Sequence, residues 1–284
     1  MIGKVKIRHL FLLAWLAALS TKAQVSSENY VQTTERISDT QVLSTTEYYD
    51  GLGRPFEMVE QKKTPDGANL IHLKEYDGLG RDWKTWLPVK DASDFLSISA
   101  ARSQGNNQYR DSHAFSLTEY DGSPLNRINT VEGVGAEWTS HPVKKDYLVN
   151  TSKYPLNCKY YRVSMQGQLQ DKGYYPEGRL YVTKTTDENG NESYEFKNIA
   201  GNVILKRTIC SIDEAADTYY IYDYRGNLAF VLPPNYQEEP SLDLYAYQYK
   251  YDGQGNCTWK KLPGCEPIYM KYDLSGRMIF LQDG

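Results

Sequence analysis

The clearest signal along the chain is alternation. In "YAYQYKYD" the rings of Tyr245, Tyr247, Tyr249 and Tyr251 fall at every second position, so an extended segment places them on one face. Ala246, Gln248 and Lys250 then share the other. "YYIYDY" repeats the arrangement with Tyr220, Tyr222 and Tyr224. Apolar runs of strand length follow at 203–207 ("VILKR"), 228–232 ("LAFVL") and 278–282 ("MIFLQ"), and "ESYEFK" predicts one more strand. The region 88–150 reads differently. In "DASDFLSISAARSQG" Asp and Ser can cap a helix start and Gly105 can end it, which predicts a short helix near 91–104 and then a polar loop, "SQGNNQYRDS". The whole pattern predicts a mostly β protein of successive antiparallel hairpins, with at most one or two short helices near 91–104.

Between the strands stands a recurring hexapeptide. "YDGLGR" occurs twice, with Asp50 and Asp77 at its second position. Weaker copies are "YDYRGN" at 222–227, "YDGQGN" at 251–256 and "YDLSGR" at 272–277; "TDENGN" at 186–191 and "KNIAGN" at 197–202 lack the Tyr, and "YDGSPLNR" at 120–127 is lengthened. The chemistry is that of a hairpin turn: Asp accepts from backbone N–H groups two residues on, and Gly, three residues after Asp, takes the left-handed conformation that sends the chain back. The expected turn residues are Asp50 with Gly53, Asp77 with Gly80, Asp187 with Gly190, Asn198 with Gly201, Asp223 with Gly226, Asp252 with Gly255, and Asp273 with Gly276. From 187 onward the turns lie 11, 25, 29 and 21 residues apart, too irregular for propeller blades of about 40 to 50 residues. Hairpins of varying length suit a continuous sheet that winds onward.

The first residues set the compartment. Lys4, Lys6 and Arg8 precede an apolar run from Leu10 to Leu19, and small residues at Thr21 and Ala23 suit cleavage before Gln24. This is the pattern of a secretory signal peptide, its apolar run well short of the about 20 residues a membrane span needs. The expected location is the periplasm, the cell surface or the extracellular space, with no membrane span in the mature chain. Cleavage removes four basic residues, leaving 28 basic against 36 acidic, so the formal charge moves from −4 to −8. Nucleic acid is not an expected partner of such a chain. The organisation expected is a signal peptide at 1–23, an N-terminal domain at 24–150 holding both YDGLGR hairpins, and a repeat array at 151–284.

Cys158, Cys210, Cys257 and Cys265 allow three fully paired connectivities. Cys257 and Cys265 flank one Pro263-Gly264 turn and are the first pair to consider, against free buried thiols. No C-x-x-C spacing points to zinc. "DENGN" resembles the start of a calcium loop, but residue 198, twelfth in the count, is Asn rather than a bidentate Glu. Phosphate-binding Gly patterns are absent, and His72, His113 and His141 stand without a hydrolase signature. The expectation is no catalytic residue, no metal and no cofactor. The rival to a building role is surface binding, because Tyr and Trp side chains (Trp83, Trp86, Trp138, Trp259) can stack on a glycan or a protein; against it, such rings also pack between neighbouring strands.

The YD-G-R/N units resemble those of the YD-repeat or RHS (rearrangement hotspot) proteins, relatives of the teneurin shells and of insecticidal toxin-complex cocoons. The stretches "FSLTEYDGSPLNRI" and "GAEW" resemble the domain of unknown function that opens many exported Gram-negative bacterial RHS proteins. The resemblance implies a spiralling β-shell that encloses a C-terminal toxin or displays binding surfaces. It also implies an aspartyl self-cleavage site built around Asp-Pro, and no Asp-Pro pair occurs here. The chain therefore reads as the opening part of a shell from a secreted or surface polymorphic-toxin-type protein, its array cut short at Gly284. Its expected partners are further YD-repeat segments or another chain at the open sheet edge, and a surface glycan.

Overall fold

The structure, a computed structural model, describes residues 28–38, 42–212 and 214–284. The signal-peptide pattern at 1–23 and its cleavage point lie outside the described residues. The chain is nearly all β and divides into two units, Met1–Arg127 with Val131–Ser140, and Ile128–Thr130 with His141–Gly284.

In the first unit β1 (Asn29–Arg36), β2 (Val42–Tyr49), β3 (Pro55–Glu60) and β4 (Asn69–Tyr76) form an antiparallel meander. On its far side β4 pairs first with β5 (Asp82–Trp86) and then with β6 (Val89–Asp91), one strand broken at Leu87-Pro88. Strand β7 (Phe115–Tyr120) completes the sheet beside β5. Alternation is strict in β4, where Asn69, Ile71, Leu73 and Glu75 are buried and the residues between them are not. This face packs with Tyr48, Phe56, Val59, Trp86 and Phe115 into a core.

Helix α1 (Ile98–Tyr109) covers that core, and its N-terminus is capped by Ser97, whose Oγ accepts from the Ala100 N–H. The helix starts and ends later than the sequence predicts. Gly105 does not stop it but is buried within it, where an added Cβ would stand 3.4 Å from both Trp86 and Val89. The glycine serves close approach of helix to sheet, and the end comes at Arg110, in the left-handed region at φ 53°. Glu75 anchors the helix from below, accepting from Trp86 Nε1 at 2.6 Å and Arg102 Nε at 2.8 Å. Trp86, one of the rings weighed between ligand stacking and strand packing, is therefore core.

A short strand β8 (Ile128–Glu132) and a 3-10 turn (Ala136–Ser140) lead on to the second unit. There β9 (Val143–Val149) pairs with β12 (Tyr181–Thr186), and the sheet continues strand by strand through β13 (Glu192–Lys197), β14 (Val203–Ser211), β15 (Glu214–Tyr222), β16 (Leu228–Leu232), β17 (Tyr247–Tyr251), β18 (Cys257–Lys261), β19 (Ile268–Tyr272) and β20 (Met278–Gln282). Strand β9, which ends just before residue 150, thus belongs to the repeat sheet. The hairpin β10 (Lys159–Val163) and β11 (Leu169–Tyr174) packs beside β15, with Tyr161 edge-on to Tyr219 at 5.2 Å. Under it lies a core of Leu180, Phe196, Leu205, Ile221 and Leu232.

Arg207 holds the loop before β10. It pairs in a fork with Asp217 and donates to the carbonyls of Pro155 and Asn157 at 2.6 and 3.0 Å.

Two tyrosines leave the strands predicted for them. Tyr245 ends a short helix α3 (Leu242–Tyr245) that follows α2 (Pro234–Glu238), because Ser241 caps the Leu244 N–H and turns the chain before β17 begins. Tyr224 lies past Asp223, inside the turn. There are three short helices in all among the described residues, two of them away from 91–104.

The expected pairing of Cys257 with Cys265 is absent, and all four cysteines are free thiols. Cys257 begins β18 and Cys265 lies in the loop beyond its other end. Four residues of strand at about 3.3 Å each separate them, whereas a disulfide needs Cα atoms within about 7 Å.

Candidate functional site: the ladder of turns

Every Asp/Asn-x-x-Gly segment named above is a hairpin turn of one geometry. The Gly N–H donates to the carbonyl of the first residue at 2.9–3.3 Å, and that residue's own N–H donates to the carbonyl four residues on. Gly53, Gly80, Gly190, Gly201, Gly226, Gly255 and Gly276 sit at φ between 74° and 87°. The first side chain closes the loop from within. Asp50 Oδ1 accepts from the N–H groups of Leu52 and Arg54, both at 2.9 Å, and the same two bonds recur at each turn down to Asp273.

The fifth residue has a role that the spacing did not suggest: it returns onto the other carboxylate oxygen. Arg54, Arg81 and Arg277 do so through Nε at 2.7–2.8 Å, and Asn191, Asn227 and Asn256 through Nδ2 at 2.8–3.1 Å. Only a carboxylate can accept all three bonds, so the acid is held ionised. The Asp50, Asp77 and Asp273 carboxyls lie below the usual range, first through the backbone N–H of the fifth residue. Asp187 and Asp252 do so first through the Asn amide.

At six of the seven turns the sheet register also shifts by one residue, and the Asp187 turn keeps it. Tyr48 faces Glu57 and Tyr49 faces Pro55, leaving Phe56 as the extra residue of a β-bulge. At three of the bulges the sixth and seventh residues after the turn's start are both buried: Phe56 with Glu57, Ile204 with Leu205, Ala229 with Phe230. The repeated Tyr explains itself across hairpins. Tyr76 Oη donates to the Pro55 carbonyl at 2.7 Å, Tyr120 Oη to that of Asp82 at 2.9 Å, and Tyr251 Oη to that of Leu228 at 2.9 Å. In each case the acceptor is the fifth residue after the preceding Asp. Arg54 lies over the Tyr76 ring at 4.5 Å and Arg81 over the Tyr120 ring at 4.3 Å. At these three steps the hairpin is thus tied to the turn before it.

Sequence reasoning missed two further turns of this kind, Thr64–Gly67 and Ser164–Gly167, where a hydroxyl replaces the carboxylate; Ser164 Oγ accepts from the N–H groups of Gln166 and Gln168. The histidines meet single carboxylates, His72 with Glu60 at 3.1 Å and His113 with Glu132 at 3.4 Å. Among the described residues, no group of three or more His, Cys, Asp or Glu could hold a metal ion, and no helix is long and apolar enough to cross a membrane.

Residues 20–149 match a family model described as a domain of unknown function, DUF6443. No curated protein matches the chain. Among solved structures, the crystal structure of TcdB2-TccC3-Cdc42 aligns over 95 % of this chain and 13 % of that chain, with a TM-score of 0.59 and 14 % identity. That of TcdB2-TccC3 aligns over 89 % and 12 %, with a TM-score of 0.55 and 16 % identity. The chain shares their fold and spans a small part of their length.

Proposed function

We propose that the chain is a non-enzymatic building segment of an RHS/YD-repeat shell, exported and forming part of a secreted or surface protein of polymorphic-toxin type. The observation that carries this reading is the state of β20. Among the described residues it is hydrogen-bonded only to β19. Met278, Ile279, Phe280 and Leu281 are consecutive and between 49 % and 67 % exposed, so both faces of the strand are apolar. Such a strand suits the interior of a sheet covered on both sides, and its open edge offers unpaired N–H and C=O groups to another strand. A further YD-repeat segment, in the same polypeptide or another chain, satisfies both needs.

The turn ladder supports the same reading, because the residues of the motif are spent on backbone and on one another. The shared fold with the TcdB2-TccC3 structures supports a toxin-associated scaffold, and the signal-peptide pattern supports export. The test is sizing with light scattering on the purified chain. Self-association is expected, and Phe280→Lys with Leu281→Lys should shift it toward monomer. A monodisperse wild-type monomer would sink the proposal.

A further inference from the structure

A groove of about 650 Å³ runs between the β10–β11 hairpin and the outer end of β15, within the second unit. One wall carries three cations, Lys159 and Arg162 on β10 and Lys172 on β11; the other carries Tyr220, Tyr222 and Tyr224 with the amides of Asn198 and Asn202. Its volume falls in the range of small-ligand sites, about 300–1,000 Å³.

Three features mark this wall, the first of which it shares with the turn after Tyr272. Tyr222 occupies the motif position whose hydroxyl, in Tyr76, Tyr120 and Tyr251, is tied to the preceding turn; here no such tie forms, and the ring lines the groove. The turn at 198 starts with Asn instead of Asp. Asn198 Oδ1 still accepts from Ala200 and Asn202, but without a carboxylate Asn202 has nothing to close onto as Asn191, Asn227 and Asn256 do. Amide donors are thereby left at the groove. The third feature is charge. Asp223 is the single carboxylate of the lining, and it is engaged in its own turn, as Asp171 on β11 is with the Gly173 N–H. A chain of formal charge −4 here gathers three cations around one occupied acid.

We infer that this groove binds an acidic oligosaccharide, with sugar rings laid on the tyrosine faces, hydroxyls bonded to Asn198 and Asn202, and carboxylates or sulfates met by Lys159, Arg162 and Lys172. Tyrosine faces combine apolar area with a polar tip, which suits the mixed surface of a sugar ring better than a peptide backbone. The cations select for charge and steer the approach of an anionic polymer. The site is independent of what β20 joins.

The experiment is titration calorimetry of the full chain with tetragalacturonate, cellotetraose and tetraglutamate. Tetragalacturonate is expected to bind, with the neutral sugar and the acidic peptide each weaker by at least about tenfold, a difference of about 1.4 kcal/mol. The pair Arg162→Glu and Lys172→Glu lies on exposed positions and should abolish binding without moving the melting temperature. Tyr224→Ala, also exposed, should weaken it severalfold. No binding of tetragalacturonate, equal binding of tetraglutamate, or binding unchanged in the double variant would overturn the inference.

Discussion

The Tyr76 hydroxyl donates to the carbonyl of Pro55 at 2.7 Å while the Arg54 guanidinium lies over the Tyr76 ring, so one side chain joins two successive hairpins twice. Replacing Tyr76 or Tyr251 with Phe deletes the hydroxyl and keeps the ring. Each change should cost about 1 kcal/mol, read as a fall in the midpoint of chemical unfolding. Tyr272→Phe is the comparison, since that hydroxyl reaches only the Met270 sulfur at 3.9 Å, and it should cost less.

The turn glycines separate two effects. A Cβ on Gly53 would meet nothing within 4 Å, whereas one on Gly80 would stand 2.6 Å from Arg54 Nη1. Gly53→Ala should therefore show backbone strain alone, about 1–2 kcal/mol for a left-handed residue. Gly80→Ala should show that strain plus the displacement of Arg54 from Tyr76. Valine at either position should lower the thermal midpoint further, because β-branching worsens the strain. Equal melting of wild type and both valine variants would remove the left-handed geometry from the account.

Glu57 gives a dependence on pH. Its carboxyl is 2 % exposed among Tyr48 and the 94–96 loop, accepts from the Leu96 N–H at 3.0 Å, and leaves Oε2 without a partner. Burial pushes its pKa from 4.5 up to about 7. The folded state therefore holds a proton that the unfolded chain releases, and stability falls as pH rises from about 4.5 to about 7. Glu57→Gln should raise stability at pH 8 by up to about 3 kcal/mol, as a shift of this size implies, and should flatten that part of the pH profile. Asp50, Asp77, Asp187, Asp252 and Asp273 act oppositely: their pKa values are lowered from 3.8, so their contribution is present above that pH and is lost as pH falls further.

Arg207 is the buried hub of the second unit. Arg207→Met leaves the half-buried Asp217 carboxylate without its guanidinium partner, and a loss of about 3 kcal/mol is expected by denaturant titration. The double change Arg207→Met with Asp217→Leu should recover most of it. Failure to recover would place the weight on the Pro155 and Asn157 carbonyls instead.

What could be read from sequence follows the range of each interaction. The strands were legible because alternation and punctuation by Asp and Gly are local, and contacts within a turn span only five residues. Bonds between turns, such as Tyr76 to Pro55, depend on which strand lies beside which, and the motif by itself does not say what its Tyr or Arg touches. Gly105 misled because a glycine that ends a helix and one that lets it approach a sheet look alike until Trp86 and Val89 are in place. Tyr245 misled because a perfect alternation continued one step into a capped helical turn. The groove beside β10 was invisible for the same reason, since its walls are joined only by the fold.

The tying of one turn to the one before it, as at Tyr76, Tyr120 and Tyr251, has a mechanical consequence. Contacts run between neighbours along the ladder, so load applied at one end passes through a series of similar small latches, as in other repeat architectures. Pulled from its last strand, such a sheet would peel one hairpin at a time and give up its length in steps. The same property lets a hairpin be duplicated or deleted with the loss of only one latch, which makes the number of hairpins free to drift while the wall they build keeps its form.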